Sequence, residues 1–221
     1  MGNFFYFFIA HLVLISSLAT ADSQPPQNSV TISGFEALGS GCPQGSVLHD
    51  ISPDGQVITL IFSEYQLVKE GAKHAQGVHK SCRMKIQFEV PPGWAYAVNQ
   101  LSVQGGVDLE SGLAAVEQFT FWTGEDRRPQ RIKPEIFRGP VVKDYSYTRK
   151  FNDDLRWSSC DKRKPQVHEL VLDSTASIYP TCRNGRKALG VLTIDAMENL
   201  VTSVSKPKAT FHSGLRWKRC R

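Results

Sequence analysis

Five cysteines are the side chains of this sequence most ready for covalent chemistry: Cys42, Cys82, Cys160, Cys182 and Cys220. Two of them close the same hexapeptide pattern, LRWSSC at 155–160 and LRWKRC at 215–220. If each copy is a strand, Leu and Trp at i and i+2 share a face and the cysteine falls on the opposite one. Either a bulge separates Trp from Cys, or the cysteine lies just past the strand end. The repetition predicts two partner strands joined by a Cys160–Cys220 disulfide, with tryptophan shielding the sulfurs. Closing a loop of that length is worth roughly 4 kcal/mol in the chain-entropy model. Cys42 and Cys82 then pair by elimination. Cys182, in YPTCRNGRK, is left either free or available to bridge to another chain.

Other chemistry finds less support. His74 and His79 sit five apart in EGAKHAQGVHKSC, and could supply two metal ligands. A third would have to come from afar, and His49, His168 and His212 are scattered. A solvated loop is the plainer reading, and neither a metal nor another cofactor is expected. There is no G-x-S-x-G elbow and no H-E-x-x-H. Gly39-Ser40-Gly41 leads into Cys42-Pro43 rather than a helix. A secreted copper monooxygenase would begin its mature chain with histidine, whereas cleavage after Ala21 leaves Asp22. Asp153-Asp154 and Glu125-Asp126 lie beside basic residues and read as solvated loop charges. The carboxylate spacing that glycoside hydrolysis needs is spatial, so a polysaccharide hydrolase stays as an alternative reading.

Charge is more informative. The formal net charge is +5, unevenly divided. Residues 22–121 hold 5 basic and 10 acidic side chains, and residues 122–221 hold 21 and 11, so the halves are −5 and +10. Four basic clusters stand out: Arg127, Arg128, Arg131 and Lys133; Lys162, Arg163 and Lys164; Arg183, Arg186 and Lys187; Lys218 and Arg219. Trp157, Trp217, Tyr145 and Tyr147 lie near them in sequence. Converging on one face, these cations would form a candidate anionic-ligand face for acidic polysaccharide or another cell-surface component. Scattered, they are only solvated charge. Nucleic acid is the least natural partner, because the N-terminus reads as a secretory leader.

That leader is residues 1–21. Its apolar run, Phe4–Leu18, is too short for a bilayer span and ends in Ala19-x-Ala21, a signal-peptidase pattern. Residues 22–33 read as a flexible mature N-terminus, and 34–221 as a single domain. Lys80–Val90 alternates apolar and polar residues with period two, a strand with one buried face ended by Pro91-Pro92-Gly93. Gln56–Tyr65, after a Ser-Pro-Asp-Gly turn, is a more buried strand. Trp94–Val103, broken at Gly105-Gly106, Ala115–Trp122, Val167–Leu172 and Leu189–Ile194 complete the strand candidates. Asp195–Leu200 reads as a helical turn or a loop. Gly124–Gly139 is polar, holds two prolines, and reads as a long loop within one sandwich. No long segment has a period of 3.6. The expectation is an all-β fold: a disulfide-stapled antiparallel β-sandwich, or sandwich-like barrel, with long loops.

The ordered set GSGCPQGS, SPDGQVITLIFSEY, KSCRMKIQFEVPPGW, LRWSSC and LRWKRC resembles the DUF4360 family. These are small secreted proteins, common in fungi, without an established function. The resemblance covers about Gly34 to Cys220. It implies an extracellular β-rich domain with paired cysteines in each half, and it supplies no catalytic residues. Cys182 departs from its pattern. The sequence thus points to a secreted, non-catalytic binding or cell-surface protein, with a hydrolase or an effector-like binder of a host protein as alternatives.

Overall fold

The computed structural model describes residues 24–123, 128–151, 153–196 and 210–220. The expected leader, Arg127 and most of Asp195–Leu200 lie outside them. In chain order the strands are β1 (Thr31–Leu38), β2 (Val47–Ile51), β3 (Val57–Phe62), β4 (Gln66–Lys69), β5 (Val78–Val90), β6 (Trp94–Leu109) and β7 (Leu113–Thr123). They continue as β8 (Gln130–Arg131), β9 (Glu135–Arg138), β10 (Val141–Lys150), β11 (Gln166–Pro180), β12 (Gly190–Ala196) and β13 (Thr210–Arg219). One sheet runs β1-β5-β11-β7-β8, with β9 also on β7. The other runs β10-β6-β13-β3-β12-β4, with β2 on β3 and a further β6–β12 pairing. Both sheets are antiparallel, and each draws strands from both sides of residues 124–139. The protein is an all-β sandwich.

The alternation in β5 is what builds the inner face. Cys82, Met84, Ile86, Phe88 and Val90 are buried, while Arg83, Gln87 and Glu89 are exposed. They meet Tyr96, Leu101, Val103 and Leu109 of β6 in one continuous apolar core. Burying such a side chain is worth about 1.5–3 kcal/mol each. Cys42–Cys82 is buried in this core, with both residues at 1% exposure or less.

Several expectations change. Gly105-Gly106 does not break β6; the strand runs through it. A Cβ at Gly105 would lie 2.0 Å from the Thr193 carbonyl oxygen and 2.5 Å from the Tyr145 hydroxyl. The glycine is there to admit β12 and Tyr145, not to turn the chain. The polar stretch after Gly124 is not all loop, because β8 and β9 pair with β7 through its backbone. β11 is 15 residues long and far exceeds Val167–Leu172. The sandwich also takes in residues before 34: Thr31 pairs with Glu89, and Val30 is buried. Finally, LRWSSC is not a strand. Only LRWKRC belongs to one, β13, and Cys220 lies just past its end.

Candidate functional site

The two copies of LRWxxC flank the same short piece of β6. Ser158 N–H donates to Tyr96 O at 2.8 Å, and Tyr96 N–H donates to Ser158 Oγ at 3.1 Å. The N–H and C=O of one residue point to the same side of a strand, so the first copy lies along one edge of β6. Trp217 stands opposite Tyr96 in register, so the second copy lies along the other edge. Gly93, in the turn before β6, joins them. Its N–H donates to Asp161 O at 2.8 Å, and its C=O accepts from Cys220 N–H at 2.9 Å. Gly93 has φ 82°, a left-handed conformation that favours glycine. The Cys160–Cys220 bond spans this turn with its Cα atoms 6.1 Å apart.

A groove of about 530 Å³ opens beside the bond, lined by Ala95, Ser158, Cys160, Lys162, Lys218, Arg219 and Cys220. The Lys218 ammonium sits over the Trp157 ring at 4.2 Å, and the Arg219 guanidinium over the Trp94 ring at 4.2 Å. Each indole holds its cation in place without neutralising it. Among the described residues, no ion pair engages Lys162, Lys218 or Arg219. Asp161, the nearest acid in sequence, turns its carboxylate to its own loop and accepts from Arg163 and Lys164 N–H at 2.7 and 3.3 Å. The Arg163 bond, followed by that from Lys164 and the Lys164 charge, holds its pKa below the usual range despite some desolvation.

The remaining clusters do not converge here. Arg128 and Lys133 are exposed beside the β7 edge and Arg131 is on β8, with Arg128 O accepting from Arg156 at 2.6 Å. Arg163 and Lys164 share the loop of Lys162 but do not line the groove. Arg183, Arg186 and Lys187 lie past Pro180 at the opposite end of β11. Fourteen residue steps of strand place that end roughly 46 Å away. Of the aromatic residues near the clusters, Trp217 and Tyr145 are buried. Trp94, distant from the basic clusters in sequence, is buried too, yet its ring carries the Arg219 guanidinium. The histidines are also apart: His74 Nδ1 accepts from Glu70 N–H at 3.1 Å, and His79 Nδ1 lies 2.8 Å from Ser177 Oγ.

A second polar centre was not visible in the sequence. Glu117 of β7 is 0% exposed between the sheets. The Tyr145 hydroxyl of β10 faces both the Glu117 carboxyl and the Thr193 carbonyl, and Tyr147 Oη donates to Glu117 at 3.2 Å. One phenolic proton cannot serve two acceptors, and a proton on Glu117 supplies the second. Burial pushes the Glu117 carboxyl up to about 8, Glu135 and Asp195 add to this, and the two tyrosine bonds oppose it. At neutral pH it is a protonated acid closed to solvent, so it holds the sheets together rather than meeting a substrate.

Residues 28–220 match the model of a domain of unknown function, DUF4360. The chain belongs to the DUF4360 family. A relative from Arthroderma benhamiae, described as an uncharacterized secreted protein, is 28% identical over 197 residues. The alignment covers 89% of this chain and 74% of that one. This DUF4360 protein is likewise secreted, and no helix among its described residues is long and apolar enough to cross a membrane. Among solved structures, it is similar to TmCBM61 in complex with β-1,4-galactotriose, at 9% identity and TM-score 0.26, over 85% of this chain and 89% of that one. It is also similar to the CBM22-1–GH10 modules of the Clostridium thermocellum xylanase Xyn10B, at 10% identity and TM-score 0.19, over 83% of this chain and 30% of that one. Scores this low carry no argument about ligand.

Proposed function

We propose that this DUF4360 protein is a non-catalytic binding or cell-surface protein whose groove beside Cys160–Cys220 contacts an anionic polymer, such as an acidic polysaccharide. In this reading residues 1–21 are a removed signal peptide and 34–221 act as one domain. One observation carries it: Lys162, Lys218 and Arg219 line one groove and lack ion-pair partners among the described residues. Unpaired cations at a concave surface raise the local concentration of anions. Two of the three are held on indole faces, so binding orders fewer free side chains. The distant Arg183–Lys187 cluster contributes long-range attraction only.

The test is binding of the purified protein to heparin and to polygalacturonate across a salt series. Salt-sensitive binding that weakens in Lys162→Gln/Lys218→Gln and persists in Arg183→Gln/Lys187→Gln supports the groove. Equal loss in both variants would show that net charge, not the groove, binds the polymer.

A further inference from the structure

We infer that Cys160–Cys220 is a thiol-exchange site that selects an acidic low-molecular-weight thiol. It uses the groove's positive charge, as the proposed function does, but requires no polymer. The two bridges of this protein differ in surroundings. Cys42 and Cys82 lie inside the core, 0% and 1% exposed. Cys160 and Cys220 are half-buried and form part of the groove wall, beside Lys162, Lys218 and Arg219.

Exchange begins when an external thiolate attacks one sulfur of the bridge. That sulfur forms a mixed disulfide with the reductant, and the other leaves as a thiolate. A second reductant thiolate then attacks the mixed disulfide. It releases the remaining cysteine as a thiolate and leaves the reductant as its own disulfide. Two electrons pass from two thiols into the bridge. Access and the stability of the leaving thiolate set the rate. The groove supplies both. Its cations stabilise the departing thiolate and draw in a reductant that carries negative charge. The buried bridge has neither advantage.

The backbone makes the exchange reversible. Asp161 and Cys220 stay tied to the two sides of Gly93 by hydrogen bonds of 2.8 and 2.9 Å, and Ser158 stays tied to Tyr96. These bonds do not depend on the sulfurs. The reduced cysteines are therefore held near each other, ready to close again. What reduction loosens is the groove wall rather than the core.

The experiment treats the full-length mature protein, with Cys182 alkylated beforehand, with three reductants. These are reduced glutathione (anionic), 2-mercaptoethanol (neutral) and cysteamine (cationic). Each rate is divided by that thiol's rate on a small uncharged disulfide, and opened cysteines are trapped and mapped. Cys160 and Cys220 should be trapped while Cys42–Cys82 is intact. The normalised rates should fall from glutathione to 2-mercaptoethanol to cysteamine, spread by about tenfold at low salt and converging at high salt. Lys162→Gln, an exposed loop substitution, should slow glutathione more than 2-mercaptoethanol, because the neutral thiol loses only the help given to the departing thiolate. Opening of Cys42–Cys82 first or together with the other, or rates blind to the reductant's charge, would overturn the inference. A protein that fails to bind polyanions but shows this charge order would refute the proposed function and keep the exchange site.

Discussion

Glu117→Gln isolates the buried acid between the sheets. The carboxyl is fully enclosed, and its folded-state pKa is raised from 4.5 to about 8, chiefly by burial. Between these values the unfolded chain releases the proton while the folded chain keeps it. The unfolded state then binds fewer protons, so stability falls as pH rises. Each pH unit is worth about 1.4 kcal/mol. Over the window from 4.5 to about 8 this adds up to about 5 kcal/mol, and the loss levels off above pH 8. That is a large share of a typical domain's 5–15 kcal/mol. Glutamine keeps an oxygen for Tyr147 and an N–H for Tyr145, but has no proton to lose. Its replacement cost is independent of pH, so the slope is the quantity to read. Urea unfolding of the wild type and the variant, followed by tryptophan fluorescence from pH 4.5 to 9, should give curves that separate with rising pH. The variant should gain several kcal/mol relative to wild type by pH 8. Parallel curves would refute the buried neutral acid.

Lys69 is buried, and its ammonium donates to the carbonyls of Gly71, Arg186 and Ala188 at 3.1, 3.2 and 2.8 Å. Lys69→Met should cost about 3 kcal/mol by leaving buried acceptors unmet, and amide exchange should speed up at residues 186–188; unchanged exchange there would contradict this role. Gly105→Ala should destabilise by about 1–3 kcal/mol through contact with the Thr193 carbonyl, read as a lowered melting temperature. Trp217→Phe removes the 3.0 Å bond from Nε1 to Gly55 O. It should cost at least about 1 kcal/mol, measured by denaturant titration.

The sequence showed strands where alternation met one wet face. Lys80–Val90 is the clearest case, because Arg83, Gln87 and Glu89 really face water. It failed for β10. β10 pairs with β6 along its whole length, yet VVKDYSYTRK buries only Tyr145 and leaves most of its positions exposed, so no pattern marks it. Gly105-Gly106 read as a break because its reason, the close approach of β12, is 88 residues away in the chain. The repeated LRWxxC correctly suggested a shared neighbourhood. The Cys160–Cys220 bond joins the copies as the repeat suggested, but they are not partner strands, since they lie along opposite edges of β6.

The sequence by itself determined the all-β class, the cysteines available for pairing and the surplus of positive charge. Those follow from local periodicity and composition, which need no partner. Tertiary structure alone decided which cations share a groove, that Trp94 and Trp157 hold two of them, and that Glu117 is enclosed with two tyrosines. Each of these depends on strands distant in the chain being brought together, and on how much water that packing excludes. Burial and separation are properties of the assembled sheets, and no single stretch of residues encodes them.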